Sequence, residues 1–438
     1  MISTEIDALL HAQIGSHEPG VAVALLKEDH IVHCQGYGLA NLEWEQPVTP
    51  HTVFGLGSFT KPFTATAIML LEKQEKLRLD HPIQQYLPDY PISQHTVTLR
   101  HLLTHTSGIP NFVTQPEFWG KHAHTKNSVD EVITLFKDLP FDFVPGTKYS
   151  YSNSGYVLLG RILEQLLGMS YAEVMRQLIF APLGMTHSSY LSPEPILPFR
   201  ASGYTHTAQG YQHARFLTAA AKHAAGGLGS TLEDLLLWDA ALREERLLDR
   251  QTQNRMYTPV QLATGETENY GLGWGIGQYR HHPFICHAGG VPGFSSFFGH
   301  FLEDGVTIII LSNRGSFDAS RLARRIGQLV LDLPSPLHQP VSYNPEMKRS
   351  VIGTYRSVYG TVDIKEEEGT LYLKGWSTYA LVPLSKTSFY RADDEDIEVH
   401  FEKPDEQGNA TRLRVIQPFF WFTAERGAGE SADLKGRD

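Results

Sequence analysis

Ser58 and Lys61 stand three residues apart at the start of a long apolar segment. Residues at i and i+3 lie on one face of a helix, so the Lys61 amine can reach the Ser58 oxygen. A serine hydroxyl is a poor nucleophile until a base removes its proton, and this spacing supplies a base. Unpaired N–H groups in the first helical turn also stabilise negative charge. Because serine is a common helix N-cap, the pair needs further partners to be convincing.

A second segment offers such partners. Tyr151 and Asn153 lie in a polar turn ahead of a helical segment, in the only Tyr-x-Asn of the chain. A nearby lysine ammonium can lower the pKa of a tyrosine phenol, which can then act as a base. An asparagine amide can accept a hydrogen bond from that lysine and donate one to a substrate carbonyl.

The third segment is His287-Ala288-Gly289-Gly290, which follows the short apolar strand 284–286. Its glycines let a substrate backbone lie close to a sheet edge, and an N–H there could complete an oxyanion hole. Cys286 precedes this segment, but thiols buried in strands are usually inert, so we do not favour it as a nucleophile.

In this order the three segments resemble the signature of the penicillin-recognising serine hydrolases, which is Ser-x-x-Lys, then Tyr-x-Asn, then Lys-Thr-Gly or His-x-Gly. That family includes class C β-lactamases, D-Ala-D-Ala carboxypeptidases, D-aminopeptidases and related esterases. Four more blocks along the first three quarters of the chain look like blocks of the same family: residues 99–110, 181–185, 225–230 and 270–275.

The resemblance implies a role for each motif residue. Ser58 would be the acylated nucleophile, with Lys61 and Tyr151 sharing the general-base work. The backbone N–H groups of Ser58 and Gly290 would form the oxyanion hole. Four residues would bind substrate: Asn153, His287, Gly289 and Gly290.

No cofactor and no metal are implied. His101 and His105 stand four residues apart, as metal ligands on a helix do. They lack the glutamate of a His-Glu-x-x-His site and no acidic third ligand is indicated. We interpret this pair as structural.

His287 stands where the Lys-Thr-Gly version carries a lysine. A lysine is a fixed positive charge suited to a substrate carboxylate, whereas an imidazole with a pKa near ~6.5 is mostly neutral at pH 7. Ala288 also lacks the threonine hydroxyl. We therefore expect a cofactor-independent serine hydrolase that forms a Ser58 acyl-enzyme with peptides, amides (including those of D-amino acids) or small esters. A class C-type β-lactamase is the alternative, and a non-catalytic penicillin-binding sensor is the second alternative.

The resemblance implies an α/β fold, in which an antiparallel sheet flanked by helices accompanies an all-helical subdomain. The residues agree with it, because a hairpin at 21–34 and a strand at 306–311 enclose mainly helical patterns. Residues 62–71 carry no charged side chain, which predicts a helix that is buried on all sides.

We predict a β-lactamase-like hydrolase domain at 1–335, with its α/β part at about 1–75 and 283–332 and its helical part at about 76–282. A proline-stiffened linker follows at 336–345. Alternating segments at 361–365, 370–374, 397–401 and 411–415 indicate a small antiparallel β-barrel at 346–426. It resembles the lipocalin-like C-terminal domain of some family members. The tail 427–438 is predicted to be disordered.

Composition sets wider limits. A chain of 438 residues is too long for one core, and 41% hydrophobic with 19% charged residues is typical of a soluble globular protein. The net charge of −11 argues against nucleic acid and anionic membranes as partners. The first residues are acidic where a signal peptide is basic, and no segment has the ~20 apolar residues of a membrane span. We expect a cytoplasmic protein, or a periplasmic or extracellular one if a signal peptide had been removed. Its partner would be a small-molecule or peptide substrate, and a homo-oligomer is compatible with the sequence.

Overall fold

A computed structural model describes residues 2–91, 94–125, 127–334, 338–357, 360–375, 377–417 and 420–427. The chain divides into two compact units, Met1–Leu333 and Pro334–Asp438. The predicted linker at 336–345 falls partly outside the described residues, and its last residue, Pro345, is the first of a helix. The predicted tail lies outside them from residue 428 onward, so its disorder stays a prediction.

The first unit contains helices and strands in alternation. Its α-helices are α1 (Ile2–His11), α2 (Thr60–Lys73), α3 (Leu99–Leu103), α4 (Val129–Thr134), α5 (Asn153–Leu167), α6 (Tyr171–Met175), α7 (Ala181–Leu183), α8 (Ala219–Gly226), α9 (Leu232–Arg243), α10 (Arg250–Met256) and α11 (Ala319–Val330). Its strands are β1 (Val21–Lys27), β2 (His30–Tyr37), β3 (Leu39–Asn41), β4 (Gln46–Pro47), β5 (Phe54–Gly55), β6 (Ser189–Tyr190), β7 (Tyr204–Thr207), β8 (Gly210–His213), β9 (Leu228–Ser230), β10 (Val260–Gln261), β11 (Thr267–Glu268), β12 (Gly275–Tyr279), β13 (His282–Val291), β14 (Phe294–Phe301) and β15 (Val306–Ser312). Short helical turns of 3-10 type lie at Gly57–Phe59, Ile83–Gln85 and Phe112–Thr114, and of π type at Phe118–His122 and Arg176–Phe180.

A six-stranded antiparallel sheet joins the two ends of this unit. Its order is β12-β13-β14-β15-β1-β2, so β1 pairs with β15, and Val21 lies opposite Ser312. Every residue of β15 is buried, as is β1 from Val21 to Leu26, which means that both faces of the sheet centre are covered. Such burial explains why these strands are continuous apolar runs. The predicted hairpin at 21–34 and the strand at 306–311 are confirmed.

The predicted buried helix is α2. Almost every side chain from Thr60 to Leu71 is inaccessible to solvent, and Phe63 stacks on Trp238 at a centroid distance of 4.2 Å. Among its polar side chains, the Thr64 hydroxyl donates to the Ala224 carbonyl at 2.8 Å. Burial on all sides fixes the direction of α2, and with it the position of the residues at its N-terminus.

The second unit contains a helix followed by a closed antiparallel barrel. It consists of α12 (Pro345–Val351) and of β16 (Gly353–Ser357), β17 (Gly360–Glu367), β18 (Thr370–Lys374), β19 (Thr378–Pro383), β20 (Ser388–Arg391), β21 (Asp394–Pro404), β22 (Ala410–Gln417) and β23 (Phe420–Arg426). The two predicted hairpins are confirmed, because β17 pairs with β18 and β21 pairs with β22. Side chains that alternate inward, including Tyr355, Val399 and Leu413, form its core. In the described part of the chain, no helix combines the length and hydropathy needed to cross a membrane.

We expect Phe63→Ala to lower the free energy of unfolding of the first unit by about 3–5 kcal/mol, because it opens a cavity beside Trp238 in the middle of the core. Urea titration followed by fluorescence checks this value. Phe199→Ala is the matched control, since Phe199 is 65% exposed. Equal losses in both variants would contradict the central position of α2.

Candidate active site

The turn Gly57–Phe59 leads directly into α2 and sets Ser58 beside Lys61. Lys61 Nζ lies 3.0 Å from Ser58 Oγ, which is the contact that the three-residue spacing predicts. Ser58 is partly accessible to solvent, whereas Lys61 is completely buried. A substrate can therefore reach the Ser58 hydroxyl, whereas the Lys61 amine behind it is closed to solvent.

Lys61 Nζ has two further oxygen neighbours. It donates to Asn153 Oδ1 at 2.9 Å and to the Ala225 carbonyl at 2.8 Å. No carboxylate in the described part of the chain forms an ion pair with it, and burial lowers the pKa of Lys61 well below its usual value. A neutral amine has two N–H groups and one lone pair. In the neutral form, N–H groups directed at Asn153 and Ala225 would leave the lone pair for the Ser58 hydroxyl, whereas a charged ammonium would donate to all three oxygens.

Hydrogen bonds to His105 and Asn111 hold Tyr151 and Asn153 in place. The Ser152 N–H donates to His105 Nδ1 at 3.1 Å, and the Asn153 N–H donates to Asn111 Oδ1 at 3.1 Å. Asn111 Nδ2 in turn donates to the Tyr151 carbonyl at 3.4 Å. The start of α5 is thus fixed from both sides, which brings Asn153 to Lys61.

The Tyr151 ring lies against both Lys61 and His105. Lys61 Nζ is 4.7 Å from the Tyr151 ring centroid, and the centroids of Tyr151 and His105 are 4.2 Å apart. Burial first, and then the charges of Lys61 and His287, lower the pKa of His105 well below its usual value. Tyr151 therefore rests on a neutral imidazole.

His101 and His105 both use Nδ1 to accept backbone N–H groups. His105 accepts from Ser152, and His101 accepts from Thr98 at 3.2 Å in the N-terminal cap of α3. Each histidine thus stabilises a different part of the backbone, which fits the interpretation of this pair as structural.

His287 lies on β13 and is nearly buried. Its Nδ1–H donates to the Ala288 carbonyl at 2.6 Å, which leaves Nε2 to accept from the Tyr270 hydroxyl at 3.0 Å. Burial, and next the charge of Lys61, lower the pKa of His287 to about 3. The imidazole is therefore neutral throughout the physiological pH range, and it keeps its Nδ1–H tautomer.

Gly289 and Gly290 bring β13 against the turn that carries Ser58. A Cβ on Gly289 would lie 1.9 Å from the Leu56 carbonyl oxygen and 2.4 Å from Ser296 Oγ. Gly57 has φ +55°, and a Cβ there would lie 2.6 Å from the Gly290 nitrogen. Such distances are possible only without side chains, so these glycines permit a backbone-to-backbone approach beside Ser58.

The structure adds three residues to those predicted. Asn111 and His105 position the start of α5, and Tyr270 fixes His287. The sequence predicts only a structural role for His105, includes Tyr270 only in a block that resembles the family, and gives no signal for Asn111. Cys286 is buried in β13, and burial raises the pKa of its thiol, which leaves it unsuited to act as a thiolate.

Comparison with known proteins gives the site a context. The Beta-lactamase family profile matches residues 6–331, which include all three motifs. The chain belongs to the β-lactamase family. The recognition made from the motifs is thereby confirmed, and the fold is that of a penicillin-recognising serine hydrolase with an added β-barrel.

Individual relatives match different lengths of the chain. A penicillin-binding protein of Bacillus subtilis is 28% identical over 404 residues, covering 85% of this chain and 88% of its own. A D-aminopeptidase of Gluconobacter oxydans is 27% identical over 308 residues, or 68% of this chain and 56% of the relative. The structure of an octameric penicillin-binding protein homologue from Pyrococcus abyssi matches with a TM-score of 0.69 at 25% identity, covering 97% of this chain and 100% of that one. For the present chain a homo-oligomer stays a prediction.

We expect Gly289→Ala to destabilise the first unit by at least about 2 kcal/mol, because the new methyl group would push β13 away from Leu56. Gly290→Ala is the neighbouring control, since nothing lies within 4 Å of a Cβ at that position. Urea unfolding of both variants measures the difference. Equal stability of the two variants would show that the close approach is absent in solution.

Proposed function

We propose that the protein is a cofactor-independent serine hydrolase that forms an acyl-enzyme at Ser58. The observation that carries this proposal is the buried Lys61 amine, 3.0 Å from Ser58 Oγ and without a carboxylate partner among the described residues. A lysine whose pKa is lowered by burial can be neutral near pH 7 and can accept a proton. The family match to residues 6–331 supports the assignment.

In the proposed first step, the Ser58 oxygen attacks the substrate carbonyl while its proton passes to Lys61. The centroid of the Tyr151 ring lies 4.7 Å from this amine, and its phenol would share the general-base work. The protonated pair then gives a proton to the leaving amine or alcohol, so that the leaving group departs neutral. In the second step, the same pair takes a proton from the water that attacks the ester, and it returns this proton to the Ser58 oxygen as the C–O bond breaks and the acid product leaves.

Negative charge on the carbonyl oxygen needs donors that are already in position. We assign this role to the backbone N–H groups of Ser58 and Gly290. The approach between Gly57 and Gly290 places these two backbone segments side by side, and preorganised donors of this kind commonly contribute 10²–10³-fold to the rate, or about 3–4 kcal/mol. Asn153, His287 and Gly289 would contact the rest of the substrate.

The substrates that we favour are amides and peptides, including those of D-amino acids, together with small esters. A relative is named D-aminopeptidase, which supports this class. The neutral His287 supplies no positive charge for the carboxylate of a β-lactam. For this reason we place hydrolysis of β-lactams second, and retention of a penicillin adduct without turnover third.

Intact-mass spectrometry tests the proposal. We expect the wild type to acquire acyl adducts after exposure to a p-nitrophenyl ester or a D-amino-acid amide and to release them as product, with a slower adduct from a penicillin. Ser58→Ala should lose every adduct and lower turnover by at least about 10³-fold, because the nucleophile is absent.

Ser16→Ala is the matched control, because Ser16 is an exposed serine of the same unit. Labelling that persists in Ser58→Ala would overturn the mechanism. A stable penicillin adduct on Ser58, with no turnover of any of the three substrates, would instead identify a sensor.

The pH profile of kcat/KM provides a second test. Lys61 must be uncharged to accept the Ser58 proton, so activity is present above its lowered pKa and is lost as the pH falls through it. His287 is neutral at every pH well above its pKa of about 3. We therefore expect His287→Gln to leave the midpoint of the acid limb unchanged within about 0.3 pH units, whatever its effect on the maximal rate.

If His287 carried a positive charge in the active pH range, its removal would raise the pKa of Lys61. An upward shift of the acid limb by about one pH unit in His287→Gln would therefore contradict the neutral state. His206→Gln serves as the control, since His206 is exposed and stands outside the site.

A further inference from the structure

A cationic pocket adjoins the candidate site on the side away from His287. Its volume is about 290 Å³. Three basic side chains line it, namely Arg200, Arg215 and Lys222, and none of its lining residues is an aspartate or a glutamate. In a protein of net charge −11, such a concentration of positive charge without acids needs an explanation.

These cations have no acidic partners in the part of the chain that the structure describes. Lys222 Nζ lies over the Phe216 ring at 5.3 Å, and the Arg200 guanidinium donates to the Ser192 carbonyl at 3.1 Å. Burial, followed by the charge of Arg200, lowers the pKa of Lys222 to about 8. Burial also lowers the pKa of Arg200. Two like charges that are partly removed from water repel each other, and a bound anion would offset that cost.

The pocket adjoins the turn that carries Ser58, since a Cβ on its lining residue Gly226 would lie 3.5 Å from the Gly57 carbonyl carbon. Gly226 lines it and follows Ala225, whose carbonyl accepts from Lys61. Val291 lines it as well and follows Gly290 on β13. Gly55 closes the wall between them, since a Cβ there would lie 3.5 Å from Val291 Cγ2. A substrate bound at Ser58 and extending past Gly290 would therefore enter this pocket.

The chemistry of the proposed reaction decides which part of the substrate lies there. The leaving group must receive its proton from the Lys61 and Tyr151 pair, and Tyr151 lies on the side of His105, Tyr270 and His287. With the carbonyl oxygen between the N–H groups of Ser58 and Gly290, the acyl portion points the other way, toward Gly226 and Val291.

We propose that this pocket is a subsite for a carboxylate carried by the acyl portion of the substrate, bound by Lys222 and Arg200. The inference rests on the proposed function for its orientation and adds a substrate class to it. Both cations donate hydrogen bonds that become charge-assisted with a carboxylate, and Arg200 can bind it through two N–H groups. Acyl donors with an acidic side chain are then preferred over neutral ones of the same shape.

Two p-nitroanilides test this preference, those of D-glutamate and D-glutamine, because they differ in charge and hardly in shape. We expect the wild type to show a kcat/KM for the D-glutamyl compound at least about tenfold above that for the D-glutaminyl compound. Lys222→Met and Arg200→Met should each reduce this ratio, and the double variant should bring it close to one. Lys222→Arg keeps the positive charge and should retain most of the preference.

Lys76→Met is the matched control, since Lys76 is an exposed lysine of the same unit, and it should leave the ratio unchanged. A ratio near one in the wild type, or a ratio that Lys222→Met and Arg200→Met do not alter, would overturn the subsite while the proposed hydrolase remains intact.

Calorimetry separates the subsite from the chemistry. Ser58→Ala protein, which cannot be acylated, is titrated with the α-amides of D-glutamate and D-glutamine. Tighter binding of the D-glutamate amide, lost in Lys222→Met, would support the subsite even if the wild type hydrolyses neither anilide, a result that would count against the proposed function alone. Equal binding of the two amides would overturn the subsite.

Discussion

The burial of one lysine amine among three oxygen atoms is the constraint on which the site depends. Lys61 reaches Ser58, Asn153 and Ala225, and these residues come from three separate segments of the chain. A buried ammonium without a carboxylate is costly, whereas a neutral amine in the same place is tolerated. Burial therefore favours the uncharged amine that the proposed mechanism needs as a base, and the same hydrogen bonds fix its direction.

The residues around Lys61 favour its uncharged form because none of its three hydrogen-bond partners carries a negative charge. His105 and His287 both lie close enough for their charges to interact with Lys61, and burial keeps both imidazoles neutral. Acids in those positions would have stabilised the charged ammonium, which could not accept the Ser58 proton in the proposed mechanism. The hydrogen bond from Tyr270 to His287 fits this pattern, because it satisfies a buried nitrogen without introducing charge.

Much of the architecture could be predicted from the sequence, because its determinants are local. The uncharged run 62–71 predicted a buried helix, and the apolar run 306–311 predicted a strand, since each pattern reflects burial directly. The pairing of Ser58 with Lys61 followed from helical spacing alone. Alternation in the C-terminal part likewise predicted the hairpins of the barrel.

What could not be predicted depends on contacts between distant segments. Nothing in the pattern around Asn111 shows that its amide bridges Tyr151 and Asn153, because that contact arises only when α5 packs against the turn at Phe112–Thr114. The role of Gly289 has the same origin. A glycine in a strand signals close approach of another backbone, but it does not reveal that the other backbone is the carbonyl of Leu56.

The two ends of β13 differ in the positive charge that surrounds them, and this difference bears on which substrates the site would prefer. At the His287 end the imidazole is neutral. It therefore offers no positive charge to a carboxylate on the leaving group. Beyond Gly290, at the other end, Arg200 and Lys222 stand without acidic partners among the described residues. An enzyme with positive charge at the first end selects substrates by the carboxylate of the leaving group. In the orientation that we propose, the positive charge of Arg200 and Lys222 lies on the acyl side instead, so the acyl portion of the substrate would be the part that is selected by charge.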